Sequence, residues 1–255
     1  MTFDIISIFP DIFASYFNEG MLKRALDKKI ITVRAYDLRA EASDRRRTVD
    51  DKPYGGGAGM VLMAEPITSA IAKIKSKIPV RSAFSTADAG GQNPKSKIMP
   101  TADHPQDDNI KAPKIKTVLL SAKGKTWTQQ MARRYAKLDN VIFICGRYEG
   151  VDERVAKFVD EEISIGDYVL TGGELGALVI IDSVTRLLPE VLGNDQSALR
   201  ESHSAAGVLE HPQYTRPEIM TVDGKKLRAP KVLLSGNHAR IEVWRQQKEK
   251  MRSKK

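Results

Sequence analysis

An α/β fold built on a mainly parallel sheet is predicted by three features of this 255-residue sequence. Short apolar runs rich in Ile and Val recur along the chain, stretches with helical apolar spacing separate them, and glycine-bearing segments directly follow several of the runs. Near-continuous apolar runs are the mark of strands buried on both faces, and their alternation with helices produces a parallel sheet covered by helices.

The elements follow in order. Phe3 to Phe9 is a dense apolar run and gives the first strand. Its Asp4 and the lack of a basic leading segment argue against a signal peptide, so the protein is expected in the cytoplasm. Pro10-Asp11 then opens a helix carrying Ile12, Phe13, Tyr16, Phe17, Met21, Leu22, Ala25 and Leu26 on one face. Ile30 to Leu38, Lys116 to Ser121, Val141 to Cys145 and Ile163 to Ile165 read as further strands, and Thr128 to Lys137 and Leu175 to Leu188 as helices. Within the last of these, Asp182 and Arg186 stand four apart, on one face. Between Ser85 and Lys114, turn formers and charges replace the apolar pattern, which predicts a mobile surface insertion over 85–114. The pattern weakens again over 193–206, which reads as a flexible linker after a domain spanning 1–192. Pro212, Pro217 and Pro230 then punctuate a short, largely irregular segment. Ser235-Gly-Asn-His238 caps a last helix with Ile241 and Trp244, completing a small, mostly helical domain over 207–255.

Charge is concentrated at one end. Residues 225–255 hold eleven Lys or Arg against Glu242 and Glu249, and eleven less two equals the formal charge of the whole chain, +9. A neutral body with a basic tail suits a nucleic-acid partner, because phosphate neutralisation releases condensed counterions. The lone cysteine, Cys145, excludes an intrachain disulfide and a cysteine-rich zinc site. The four histidines have no metal-ligand spacing, so no bound zinc is expected.

Four segments carry candidate chemistry. Asp50-Asp-Lys-Pro-Tyr-Gly55-Gly-Gly-Ala-Gly59-Met60 follows Asp44-Arg-Arg-Arg-Thr48. Its glycines let the backbone approach a ligand and the arginines suit phosphate, although a flexible turn accounts for the same residues. Ser121-Ala-Lys-Gly-Lys-Thr126 ends like a nucleotide phosphate loop, but that loop needs a glycine five positions before Gly124, where Leu119 stands. It is better read as a ligand loop at the carboxyl end of a strand. Cys145-Gly-Arg-Tyr-Glu-Gly150 and Ile165-Gly-Asp-Tyr-Val-Leu-Thr-Gly-Gly173 follow strands in the same way. Singly each is an ordinary turn; together they point to one site.

The first, third and fourth of these blocks, with Ile181-Asp-Ser-Val-Thr-Arg186, His211-Pro-Gln-Tyr-Thr-Arg-Pro217 and Val232-Leu-Leu-Ser-Gly-Asn-His238, resemble the bacterial tRNA guanine-N1 methyltransferases called TrmD, within the SPOUT methyltransferases. They occur in the family's order across nearly the whole chain. The resemblance implies a SPOUT-type sheet with a deep trefoil knot around Ile163 to Leu175, and a homodimer whose active sites are shared between chains. It implies transfer of a methyl group from S-adenosyl-L-methionine to N1 of guanosine at position 37 of tRNA, with a magnesium requirement. The donor is expected against Leu119, Leu120, Ser121, Gly146, Tyr148, Glu149, Ile165, Gly166, Tyr168, Val169, Leu170, Gly172 and Gly173. Tyr54, Gly55, Gly57, Ser202 and Arg216 are expected to meet tRNA or its guanine.

Guanine N1 carries a proton at neutral pH, so the reaction needs a base, and the charge that develops spreads towards O6. By resemblance Arg186 is the cation for that charge and Glu201 the base, where the family has aspartate. Glutamate keeps the carboxylate, with an intrinsic pKa of about 4.3 against about 3.9, and adds a methylene of reach. Two further departures are Ser121-Ala-Lys-Gly124 for the family's Ser-Pro-Gln-Gly and a one-residue lengthening near Ser204-Ala-Ala-Gly207. A noncatalytic or weakly active RNA-binding protein of the same fold is the alternative. Methylation of ribosomal RNA or of a ribose fits the Arg186 and Tyr214-Thr-Arg-Pro217 blocks less well.

Overall fold

A computed structural model describes residues 1–79, 112–193, 201–203 and 208–252. Apart from its last three residues, the expected insertion 85–114 lies outside these, as does most of the expected linker. The chain divides into two compact units, Met1–Thr185 and Arg186–Lys255.

The first unit is built on five strands: β1 (Thr2–Ser7), β2 (Thr32–Asp37), β5 (Ile115–Thr126), β6 (Asn140–Cys145) and β7 (Glu161–Ser164). A short hairpin, β3 (Asp50–Asp51) and β4 (Val61–Leu62), intervenes. The helices are α1 (Ala14–Phe17), α2 (Gly20–Asp27), α3 (Ala64–Lys77), α4 (Gln129–Tyr135) and α5 (Glu174–Thr185). The five strands order as β2-β1-β6-β5-β7, and every pairing is parallel. All six residues of the central β6 are buried, as the unbroken apolar run predicts.

Both faces of the sheet are covered. Ile142 and Ile144 of β6 join Ile6, Leu119 and the inward face of α3 (Ile67, Ala70, Ile71, Ile74) in one buried cluster. The alternate residues point the other way, where Phe3 and Phe143 stack and Leu120 meets Gly176 of α5. Helix α5 buries Ala177, Ile180, Ile181 and Val184. A charged group sits between strands: buried Asp4 accepts from Arg34 Nε at 2.7 Å and from Asn140 Nδ2 at 2.9 Å.

Four expectations change. The first helix is broken into a 3-10 turn (Pro10–Phe13), α1 and α2, because Gly20 adopts φ +61° at the join. The strand expected to stop at Ser121 runs to Thr126, and Ser121–Gly124 is a bulge within it: Leu120 and Lys125 both register with Ile163. At its close Gly124 packs so tightly on the backbone of Glu162 and Ile163 that a Cβ would collide. Helix α5 ends at Thr185, so Arg186 is not on it; Asp182 instead accepts from Tyr16 Oη at 2.9 Å.

The fourth change is in the second unit. Its expected irregular segment contains a hairpin, β8 (Ile219–Val222) and β9 (Lys225–Arg228), turned by Asp223 and Gly224 at φ +48° and +74°. Both turn residues in the left-handed region is the geometry that matches strand twist in a two-residue hairpin. The unit ends in α6 (His238–Arg252), capped by Asn237, whose Oδ1 accepts from Arg240 N at 3.1 Å. Trp244 of this helix lies 6.3 Å from the rings of both His211 and Tyr214.

Candidate functional site

The bulge of β5 and the carboxyl ends of β6 and β7 meet at one side of the sheet, and β6 and β7 are each followed by a loop. Together the bulge and the two loops line a cavity of about 340 Å³. All thirteen residues singled out in the three sequence blocks line it: Leu119, Leu120 and Ser121 from β5 and its bulge; Gly146, Tyr148 and Glu149 after β6; Ile165, Gly166, Tyr168, Val169, Leu170, Gly172 and Gly173 after β7. Lys123 and Glu153, which are not among the thirteen, face each other at 3.6 Å across exposed parts of the same lining.

The loop after β7 does not stay at its edge of the sheet. It passes beyond β5 to the end of β6, where Gly172 pairs with Arg147 and Gly173 N donates to Gly146 O at 2.9 Å. This close approach needs glycine: a Cβ on Gly173 would stand 2.8 Å from Cys145 Cα. Burial pushes the Cys145 thiol well above its ordinary pKa, and the nearby Glu174 charge adds to the effect, so the buried thiol stays protonated.

Beneath this junction is a buried polar group. Glu174, the first residue of α5, is 2% exposed; it accepts from Ser7 Oγ at 2.6 Å and from Arg147 Nε at 3.1 Å. The guanidinium of Arg147 lies 4.7 Å over the Phe9 ring. Sequence reading missed this group, although two signals were present: a serine inside the apolar run Ile5-Ile6-Ser7-Ile8, and an acidic residue opening a helix.

The first glycine cluster is tied to the same place. Glu149 N donates to Met60 O at 3.0 Å and Leu62 N to Gly150 O at 3.0 Å, which joins β4 to the loop after β6. The loop of Tyr54, Gly55 and Gly57 extends from this attachment, with Tyr54 fully exposed. Arg47 is held by Asp37 at 2.6 Å.

In the second unit, Arg186 and Glu201 form a two-pronged ion pair: Nη1 donates to Oε2 at 2.7 Å and Nη2 to Oε1 at 2.6 Å. The two side chains are 33% and 23% exposed. Beside it Ser202 Oγ accepts from Glu210 N at 3.0 Å, and Arg216 is exposed. The structure thus gathers the thirteen cavity residues within the first unit and joins the two residues assigned to chemistry within the second. Among the described residues no three His, Cys, Asp or Glu side chains cluster as a metal site. No helix among them is long and apolar enough to cross a membrane.

A family model described as tRNA (Guanine-1)-methyltransferase TrmD matches residues 1–106 and 90–255, which between them span the chain. The sequence is similar to proteins named tRNA (guanine-N(1)-)-methyltransferase from several bacteria. That of Shouchella clausii is 45% identical over 96% of this chain and 85% of its own length. The corresponding figures are 44%, 99% and 87% for Anoxybacillus flavithermus, and 46%, 99% and 86% for Citrifermentans bemidjiense.

Proposed function

The chain belongs to the family of tRNA (guanine-1)-methyltransferases called TrmD, and we propose that it transfers a methyl group from S-adenosyl-L-methionine to N1 of guanosine at position 37 of tRNA, next to the anticodon. The observation that carries this reading is the convergence of the β5 bulge and the loops after β6 and β7 on one cavity. Its volume of about 340 Å³ falls in the range of small-molecule sites, about 300–1,000 Å³. Its lining combines apolar side chains (Leu119, Leu120, Ile165, Leu170) with bare glycine backbone, which fits a ligand that is part base, part sugar and part amino acid. S-adenosyl-L-methionine supplies the electrophilic methyl carbon when bound there.

Arg186 and Glu201 suit the guanine edge. Guanine presents N1–H as a donor beside O6 as an acceptor, which matches a carboxylate beside a guanidinium. Glu201 takes the N1 proton as the N1–methyl bond forms, and Arg186 donates to O6 as negative charge grows on it. Their present two-pronged pairing holds both groups together until the base edge replaces one partner with the other. Adenine, with N1 an acceptor and N6 a donor, offers the reverse pattern and is rejected.

Tyr54, Gly55, Gly57, Ser202 and Arg216 contact the tRNA in this reading, and the basic residues of 225–255 hold its phosphates without reading sequence. Residues 1–192 form the methyltransferase domain, 193–206 the linker and 207–255 the tRNA-binding domain; the change of compact unit after Thr185 supports a boundary in this region. Threading of the segment Ile163 to Leu175 as a trefoil knot is supported by its return from the sheet edge to Gly146. A homodimer with shared active sites is supported by apolar side chains left at the surface of the first unit, Ile12 and Tyr16 beside Leu175 and Val179 of α5. The enzyme works in the cytoplasm, with its tRNA. No step of this reaction is routed through magnesium.

The test is transfer of label from the methyl donor to tRNA transcripts carrying guanine or adenine at position 37, with the product mapped to N1. Label is expected in the guanine transcript alone. Donor binding with no label in either would instead support the noncatalytic RNA-binding alternative.

A further inference from the structure

We propose that Glu174, bonded to Arg147 and Ser7, is a positioning residue that sets the affinity of the cavity for the methyl donor without touching it. The inference rests on the donor reading of the cavity. Glu174 is absent from the cavity lining, whereas Arg147, Gly172 and Gly173 belong to it. Its carboxylate joins three pieces of chain, two of which line the cavity: Ser7 closes β1, Arg147 lies in the loop after β6, and Glu174 itself follows the loop after β7.

The fit at this junction is close. A Cβ on Gly172 would collide with Arg147 Nε and stand 2.5 Å from Glu174 Oε2, so the ion pair packs directly on the bare glycine backbone. Gly173, one residue on, is pressed against Cys145 and bonded to Gly146. Displacing the carboxylate therefore moves Gly172 and Gly173 relative to Gly146, and those are the walls of the cavity. The Ser7 oxygen has a second task, accepting from Phe9 N at 2.9 Å, which holds Phe9 under the Arg147 guanidinium. The partners of Glu174, Ser7 and Arg147, come from segments far from it in sequence.

Stability alone does not explain such a group. A buried ion pair returns little net stability, because desolvation offsets the attraction, and well-packed apolar residues often do as well or better. What a buried pair supplies is a defined geometry, since each oxygen and each N–H has one place to be. Here that geometry is imposed where two glycine loops cross.

The experiment measures donor binding by titration calorimetry and steady-state kinetics on the full chain. Glu174→Gln is expected to raise the Kd and KM for S-adenosyl-L-methionine about tenfold, a change equivalent to about 1.4 kcal/mol. Its kcat at saturating donor and KM for tRNA stay within about twofold of the parent. Ser7→Ala, which removes the hydroxyl's two hydrogen bonds and little volume, raises the donor Kd by a smaller factor of about three. Arg147→Gln alone loses more than the double variant Arg147→Gln/Glu174→Gln, which no longer buries an unpaired carboxylate. If Glu174→Gln does not fold, Ser7→Ala and the double variant decide. Donor affinity within twofold of the parent in the folded variants overturns the proposal, as does an equal loss in kcat and tRNA binding. A parent chain that binds no donor overturns instead the reading on which it rests.

Discussion

Two of the arginine–glutamate pairs in this molecule, Arg147–Glu174 and Arg186–Glu201, stand in surroundings that separate their uses. Arg147 and Glu174 are 17% and 2% exposed, bonded also to Ser7 and stacked on Phe9. Arg186 and Glu201 are 33% and 23% exposed, with each guanidinium nitrogen of the fork facing one carboxylate oxygen. The first pair has no route to a new partner without leaving a charge in the interior. The second reaches water, so another donor and acceptor can replace its members at low cost. The same two side chains serve as a fixed joint in one place and as an exchangeable site in the other.

The sharpest way to break that comparison is through the exposed pair. Glu201→Gln keeps the shape and removes the base, and single-turnover transfer at saturating donor is expected to fall by about 10²–10⁴. Donor affinity should stay within twofold. Normal transfer by this variant would move the base role to another residue.

Stability should rank the pairs in the opposite order. Arg147→Met strands the Glu174 carboxylate in the interior and is expected to cost about 3–5 kcal/mol in a denaturant titration. Arg186→Met leaves Glu201 in reach of water and should cost about 0–1 kcal/mol. Equal losses would remove the distinction between joint and exchangeable site.

A smaller effect is expected from a third carboxylate, Glu161 at the sheet edge. Burial raises its pKa, but Lys116, Tyr135 and Arg134 outweigh this and hold it below the ordinary glutamate value. A lowered folded pKa means that its contribution is complete above the unfolded value, about 4.3, and is lost as pH falls through the folded one. Glu161→Gln should therefore cost about 1 kcal/mol at neutral pH and flatten the acid limb of the stability profile.

Much of the sheet was legible because its strands are apolar runs with no competing pattern; Val141 to Cys145 is buried at every position, as read. The break at Gly20 and the bulge at Ser121–Gly124 were not legible. Apolar spacing continues through the first, and the second depends on a strand far along the chain. The β8–β9 hairpin could have been found, since Asp223-Gly224 between Ile219-Met-Thr-Val222 and Lys225-Lys-Leu-Arg228 is a strong turn signal that the surrounding prolines obscured. At the cavity, glycine after each strand marked the loops. Glu174 escaped notice because its partners, Ser7 and Arg147, lie 167 and 27 positions away. The pairing of Arg186 with Glu201 could not be read from spacing, which suggested Asp182 instead.

The bulge in β5 separates loop length from sheet geometry. Leu120 and Lys125 meet the same rung of β7, so the four residues between them are excised from the ladder, and the sheet is indifferent to their number. Gly124 is the exception, because the backbone of Ile163 fills the space a side chain would need. Ala122 and Lys123 are thus the positions at which sequence can drift in descent without disturbing a single strand pairing, while still facing whatever the cavity holds.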